Sequence, residues 1–205
     1  MFYSAAISNA LRMGDIVRGF ILGAARQQEP KTSPHDYQVS LRVPSFSVIL
    51  TPCCSIGEKT LALAPLVPIN PKWLDNPYFE ADLTNINREM NPEQTVSPKV
   101  WQQLSDEEKT RRLEGGQAFA LVEWFVFPPH PTLGVNVVKR AGEEIESGHF
   151  AIDFRTVHRV ECEAVVNTKQ VPITAKVLEL DVQGRTELRN KLSSYFGRVP
   201  QEDMV

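Results

Sequence analysis

Alternation of apolar and polar residues in steps of two dominates the first third of the chain. Over 37–43, Tyr37, Val39, Leu41 and Val43 alternate with Gln38, Ser40 and Arg42, the pattern of a strand buried on one face. Upstream, "MGDIVRGFILGAA" (13–25) sets β-branched residues between glycines and predicts a first strand, while polar, proline-bearing 26–36, with His35, predicts a loop. The runs "FSVILT" (46–51) and "TLALAPLVPI" (60–69) are too short for helices and predict buried strands. Pro65 and Pro68 lack a backbone donor, which restricts the second run to a sheet edge or a strand end. Adjacent Cys53 and Cys54 occupy the turn between these two strands.

The period changes at 70–116. Prolines and asparagines crowd "NPKWLDNPYFE" and "NREMNPEQ", and two helix starts follow. Ser97 with Pro98 forms one. Ser105 as N-cap, Glu108 as its capping-box partner and Gly115–Gly116 as the stop form the other. This segment is expected to be a helical and irregular insertion, packed down by Trp73, Tyr78, Phe79 and Trp101. Period two returns over 117–127, apolar on both faces apart from Glu123, and predicts a central strand. Over 150–163 a single strand is expected, with Phe150, Ile152, Phe154, Thr156, His158, Val160 and Cys162 on one side. The last element, 181–199, reads as an amphipathic helix with Asp181 as N-cap and an apolar stripe of Leu188, Leu192, Tyr195, Phe196 and Val199.

Composition narrows the classes. A chain of 205 residues, 42% hydrophobic and 23% charged, has the length and balance of one globular domain. No apolar run is long enough to span a bilayer, so no membrane association is expected. The N-terminus lacks the basic and continuous apolar regions of a secretory signal. Three cysteines form no disulfide framework, and a cytoplasmic, reduced chain is expected. A net charge of −3 excludes a general nucleic-acid coat, which needs a basic field. Charge is uneven: 71–114 holds six Lys/Arg against nine Asp/Glu, and 155–198 holds eight against five.

The order "GDIVRGF" (14–20), loop, "SVILTP" (47–52), turn, "LALAPLVP" (61–68) resembles the opening of the PemK/MazF-like toxin family. The rest of the chain resembles larger bacterial proteins with a TPxCD-type turn. The first resemblance implies a small SH3-like β-barrel, here with core 13–69 and 117–163, interrupted by the insertion and closed by the helix, an α+β protein of one domain. It also implies a toxin–antitoxin or phage-defence setting and a metal-independent endoribonuclease acting on single-stranded RNA. In that activity a cation stabilises the phosphorane and a general acid/base moves the proton. Arg42 would stand for the family's arginine; Arg18 or Arg42 would supply the cation, and His35, His158 or Glu123 the acid/base group. The family's hydroxyl after the "PiT" proline is missing, since 65–68 reads Pro-Leu-Val-Pro.

Other candidates carry a bland alternative. Cys53 and Cys54 lack a sequence-adjacent group that would lower a thiol pKa, apart from Lys59, and read first as a buried corner. A zinc site joining Cys54 to His158 and Cys162 would need convergence that i, i+4 spacing gives on a helix and not on a strand. Asp15 behind Gly14 and neighbouring Arg18 mark a turn that is either structural or binding. Glu123 needs a cationic partner such as Arg42 or Arg155. Arg185, Arg189, Lys191 and Arg198 are expected on the solvent face of the last helix, a solvated or partner-binding surface. No metal or cofactor is assigned. The function expected from this balance is a non-enzymatic module binding a protein or nucleic-acid partner, with homo-oligomers compatible; the endoribonuclease and a thiol- or zinc-dependent site at Cys54 are the alternatives.

Overall fold

The computed structural model describes residues 1–27, 37–52, 55–56, 60–75, 79, 82–88, 103–114, 121–140, 142–161 and 175–197. The protein is α+β, mostly strands, with the α-helices Asp106–Glu114 and Val182–Phe196 among the described residues, and the chain divides into two compact units.

The first unit comprises Met1–Val67 and Thr156–Arg185. Gly14 turns the chain at φ 90°, a left-handed geometry that glycine adopts without strain. Strand β1 (Ile16–Val17) follows, and both its residues are fully buried. It pairs antiparallel with β4 (Ser47–Ile49) on one side and β12 (Lys176–Leu178) on the other, with a register shift at Ile16/Val17 on the β12 side. Beyond β4 lie β5 (Thr60–Pro65) and β11 (His158–Glu161), which gives the order β11-β5-β4-β1-β12. The order is open, and no closed barrel is found among the described residues. Leu11, Val17, Leu22, Ile49, Ile56, Leu61 and Leu63 form its core. Pro65 ends β5 at its pairing with Ser47, the strand-end position expected of it.

Two expectations in this unit change. The first strand is two: after β1, β2 (Leu22–Gln27) turns away to form a two-stranded hairpin with β3 (Tyr37–Arg42). The alternating strand at 37–43 exists, but β3 is exposed along its whole length rather than half-buried. Its apolar row has no second layer among the described residues.

The second unit comprises Pro68–Arg155 and Thr186–Val205. Its sheet runs β6 (Val67–Pro68), β10 (Phe150–Asp153), β7 (Trp124–Phe127), and a hairpin joins β8 (Asn136–Arg140) to β9 (Glu143–Ser147). Two 3₁₀ segments, Pro71–Asp75 and Leu83–Asn87, supply Trp73, Leu83 and Ile86 to a core shared with Ile69, Phe79, Leu121, Val126 and Ala151. Helix α1 (Asp106–Glu114) begins as its sequence requires: the Ser105 hydroxyl accepts from Glu108 N at 3.2 Å. The Glu108 carboxylate turns instead to Arg111, at 2.9 Å. Tyr78, Ser97, Pro98, Trp101 and Gly115–Gly116 lie outside the described residues.

The predicted central strand at 117–127 is corrected. The described part, β7, ends its sheet, and Glu123 precedes it in a turn. The side chain of buried Asn87 supplies the missing neighbour: it donates from Nδ2 to Val126 O at 2.7 Å and accepts from Val126 N at 2.6 Å. Among the described residues no second strand pairs with that edge of β7, and Asn87 satisfies the Val126 backbone groups there.

The predicted strand at 150–163 is two elements in two sheets. Asp153 Oδ1 accepts from Arg155 N at 2.9 Å, an Asx turn that ends β10 before β11 starts in the other unit. Helix α2 (Val182–Phe196) begins in the first unit and ends in the second. Asp181 caps it, its Oδ1 accepting from Gly184 N at 2.7 Å. Leu188 is fully buried, and Leu192 and Tyr195 are half-buried, but Phe196 is exposed. Lys191 is not on the solvent face: it is buried and donates to Ile86 O.

Candidate functional site

Two features of the first unit stand out, and of the sequence candidates they include Asp15 and Arg185. One is buried and charged, the other exposed and uncharged.

The charged feature centres on Asp15 and Lys176, whose side chains are fully buried and 2.9 Å apart. Lys176 Nζ also lies 2.7 Å from Glu179 Oε2 and donates to Ala10 O at 2.8 Å. Ser8 donates to Glu179 Oε2 from its backbone N at 2.9 Å and its hydroxyl at 2.8 Å. Arg185 lies 3.1 Å and Arg12 3.7 Å from Glu179 Oε1. Asp15 Oδ2 accepts from Arg12 N at 2.8 Å, but Oδ1 has no hydrogen-bond partner among the described residues.

The electrostatics of the two carboxylates differ accordingly. Burial pushes Asp15 up to about 6, and Lys176 and the Arg12 N–H only partly offset it. Burial also acts to raise Glu179, but hydrogen bonds from Lys176 and Ser8 outweigh it and hold the carboxyl at about 2.

The network fastens the N-terminal segment. Ser4 N donates to Glu179 O at 2.8 Å, Asp181 N donates to Phe2 O at 3.0 Å, and Tyr3 bridges Leu180. Asp15 and Lys176 present no side-chain surface to solvent, while Arg12 at the rim of the cluster is exposed. Lys176 and Glu179 were not singled out from sequence. The available signal was "AKVLEL" (175–180), where Lys176 shares parity with Leu178 and Leu180 and so points with them into the core.

Arg18 is exposed, its guanidinium 5.3 Å over the Phe46 ring. Arg42 is exposed at the end of β3, opposite Leu22. His158 Nδ1 lies 2.8 Å from Gly23 O, so Arg42 and His158 both stand beside the Leu22–Gly23 step. Glu123 belongs to the second unit, where Arg155 Nη1 lies 3.8 Å away; Arg155 also grips Asp153 at 2.7 Å and stacks 5.7 Å over Trp124. That is the cationic partner its position required. Arg189 is exposed on α2. Cys53, Cys54, Cys162, His35, Lys59 and Arg198 lie outside the described residues. Among the described residues no three His, Cys, Asp or Glu side chains are placed to hold a metal ion. No described helix is long and apolar enough to cross a membrane.

The uncharged feature is the β2–β3 hairpin. Tyr37, Val39, Leu41 and Val43 are between 57 and 71% exposed, and Ile21 is 60% exposed at the same end as Val43. On this face β3 sets Val39 opposite Ala25 and Leu41 opposite Gly23. Contiguous exposed apolar rows of this kind mark interaction surfaces. Sequence reasoning found the strand and its parity but assigned the row to a core. Comparison with protein-family models, with curated proteins and with solved structures returns no match to this chain.

Proposed function

We propose that the chain is a non-enzymatic protein-binding module whose contact surface is the apolar face of the β2–β3 hairpin. The observation that carries this reading is the row Ile21, Tyr37, Val39, Leu41 and Val43, exposed on an uncharged sheet face. An apolar face of this composition selects a protein, because phosphate contact would demand a cluster of cations. The adjacency of β5, β4 and β1 supports the small SH3-like barrel implied by the PemK/MazF resemblance, and the toxin–antitoxin or phage-defence setting belongs with that resemblance.

A second reading, the endoribonuclease, is favoured by one observation: Arg42 and His158 share the Leu22–Gly23 step. Affinity capture with wild-type chain and with Val39→Glu, together with incubation on single-stranded RNA in EDTA, separates the two. Capture lost in Val39→Glu with intact RNA is expected. RNA cleavage abolished by Arg42→Ala would overturn the binding-module reading.

A further inference from the structure

The buried cluster of the first unit holds one amine between two carboxylates. Lys176 Nζ lies 2.9 Å from Asp15 Oδ2 and 2.7 Å from Glu179 Oε2, and the side chains of Asp15 and Lys176 are fully buried. The two carboxylates are close enough to act on each other electrostatically, but they are not equivalent. Against burial, hydrogen bonds from Lys176 and Ser8 hold Glu179 ionised. Asp15 Oδ1 has no hydrogen-bond partner among the described residues, and burial raises the Asp15 pKa to about 6. The site therefore favours a neutral Asp15 carboxyl, the form whose carbon an amine attacks.

We propose that Asp15 and Lys176 condense in the folded chain to an intramolecular amide, with Glu179 relaying the protons, so that the residue preceding β1 is tied covalently to β12. Glu179 Oε2 relays a first proton from Nζ to Oδ1, leaving a neutral amine beside a neutral carboxyl. The amine lone pair attacks Cγ, and the C=O electron pair moves onto Oδ2. There the Arg12 N–H, which donates to Oδ2 at 2.8 Å, stabilises the developing charge. A second proton, relayed in the same way, lets Oδ1 depart as water while the Oδ2 pair restores the carbonyl. The C–N bond forms and the Cγ–Oδ1 bond breaks. The third ammonium proton stays on the amide nitrogen, Glu179 ends ionised as it began, and nothing is oxidised or reduced. Oδ1 loses no hydrogen bond on leaving. Proximity supplies the rate, since effective molarities of well-oriented intramolecular pairs reach about 10⁵–10⁸ M. The product also removes two opposite charges from a buried site where desolvation makes them costly. Asp15 titrates only in the unreacted chain.

Intact-mass spectrometry of the full chain tests this, on fresh protein and after prolonged incubation at about pH 6, where Asp15 is half protonated. Wild type should weigh one water less than its sequence. After trypsin, fragmentation should find residues 13–18 joined through Asp15 to residues 170–185 through Lys176. Lys176→Arg, which keeps the cation without the reactive amine, should hold its full sequence mass. Glu179→Gln should form the bond at least about a hundredfold more slowly, the contribution of a positioned acid–base group. The wild-type mass decides the bond without any variant: a chain that keeps its full mass after incubation overturns the proposal. So does a water loss that fragmentation places elsewhere, as in cyclisation at another aspartate. A bond formed equally fast in folded Glu179→Gln overturns the relay.

Discussion

Asp15 is ionised at neutral pH in a site where one carboxylate oxygen finds no donor among the described residues and the other shares Lys176 with Glu179. Its pKa is raised from 3.8 to about 6 in the folded chain, so its protonated form is favoured by folding. The stabilisation that results is complete below the unfolded pKa and is lost as pH rises through about 6. Glu179 runs the other way, from 4.5 to about 2, and its contribution is lost only as pH falls below 4.5. Urea denaturation at pH 7 and pH 5 should therefore show wild type gaining on Asp15→Asn at the lower pH, by about 1 kcal/mol, the part of a shift near two units that falls between these pH values. An equal difference at both pH values would show that Asp15 does not titrate in this window. Asp15 stood out in the sequence because it follows a turn glycine. Its partners did not, because Lys176 and Glu179 meet it only through β1–β12 pairing across most of the chain.

At the scale of the element, period-two patterning located strands but not where they change sheets. Phe150, Ile152, His158 and Val160 keep one parity through the break because the Asx turn at Asp153 leaves the count unchanged. Only Asp153, a turn former, signalled the end of β10. β7 shows the converse. It reads as central because both faces are buried, yet its second neighbour is one amide side chain, and no local pattern announces that Asn87 will stand in for a strand. Asn87→Ala would leave the buried Val126 N–H and C=O unpaired, so a loss of about 2–4 kcal/mol in denaturant titration is expected. A change below about 0.5 kcal/mol, the size of a neutral surface substitution, would mean that water or a shifted backbone replaces the amide.

For the whole molecule, net charge and interface chemistry act on different observables. A net charge of −3 acts on charged partners weakly and at long range, while an uncharged contact face is insensitive to screening. Affinity capture in about 0.05 and about 0.5 M salt should thus retain the partner bound through the Tyr37–Val43 row equally well or better at the higher salt. A steep fall would instead indicate ion pairing or phosphate contact. By itself the sequence determined the α+β class, the strands at 37–42, 47–49 and 60–65, and the caps at Ser105 and Asp181, because strand parity, proline chemistry and N-cap hydrogen bonds are local. Only the tertiary structure decided which apolar faces are covered, since burial depends on what else folds onto a strand. It buried Lys191 and Lys176 by giving them carbonyl and carboxylate partners remote in the chain. It left the Tyr37–Val43 row bare because β2 and β3 form a two-stranded sheet of their own among the described residues.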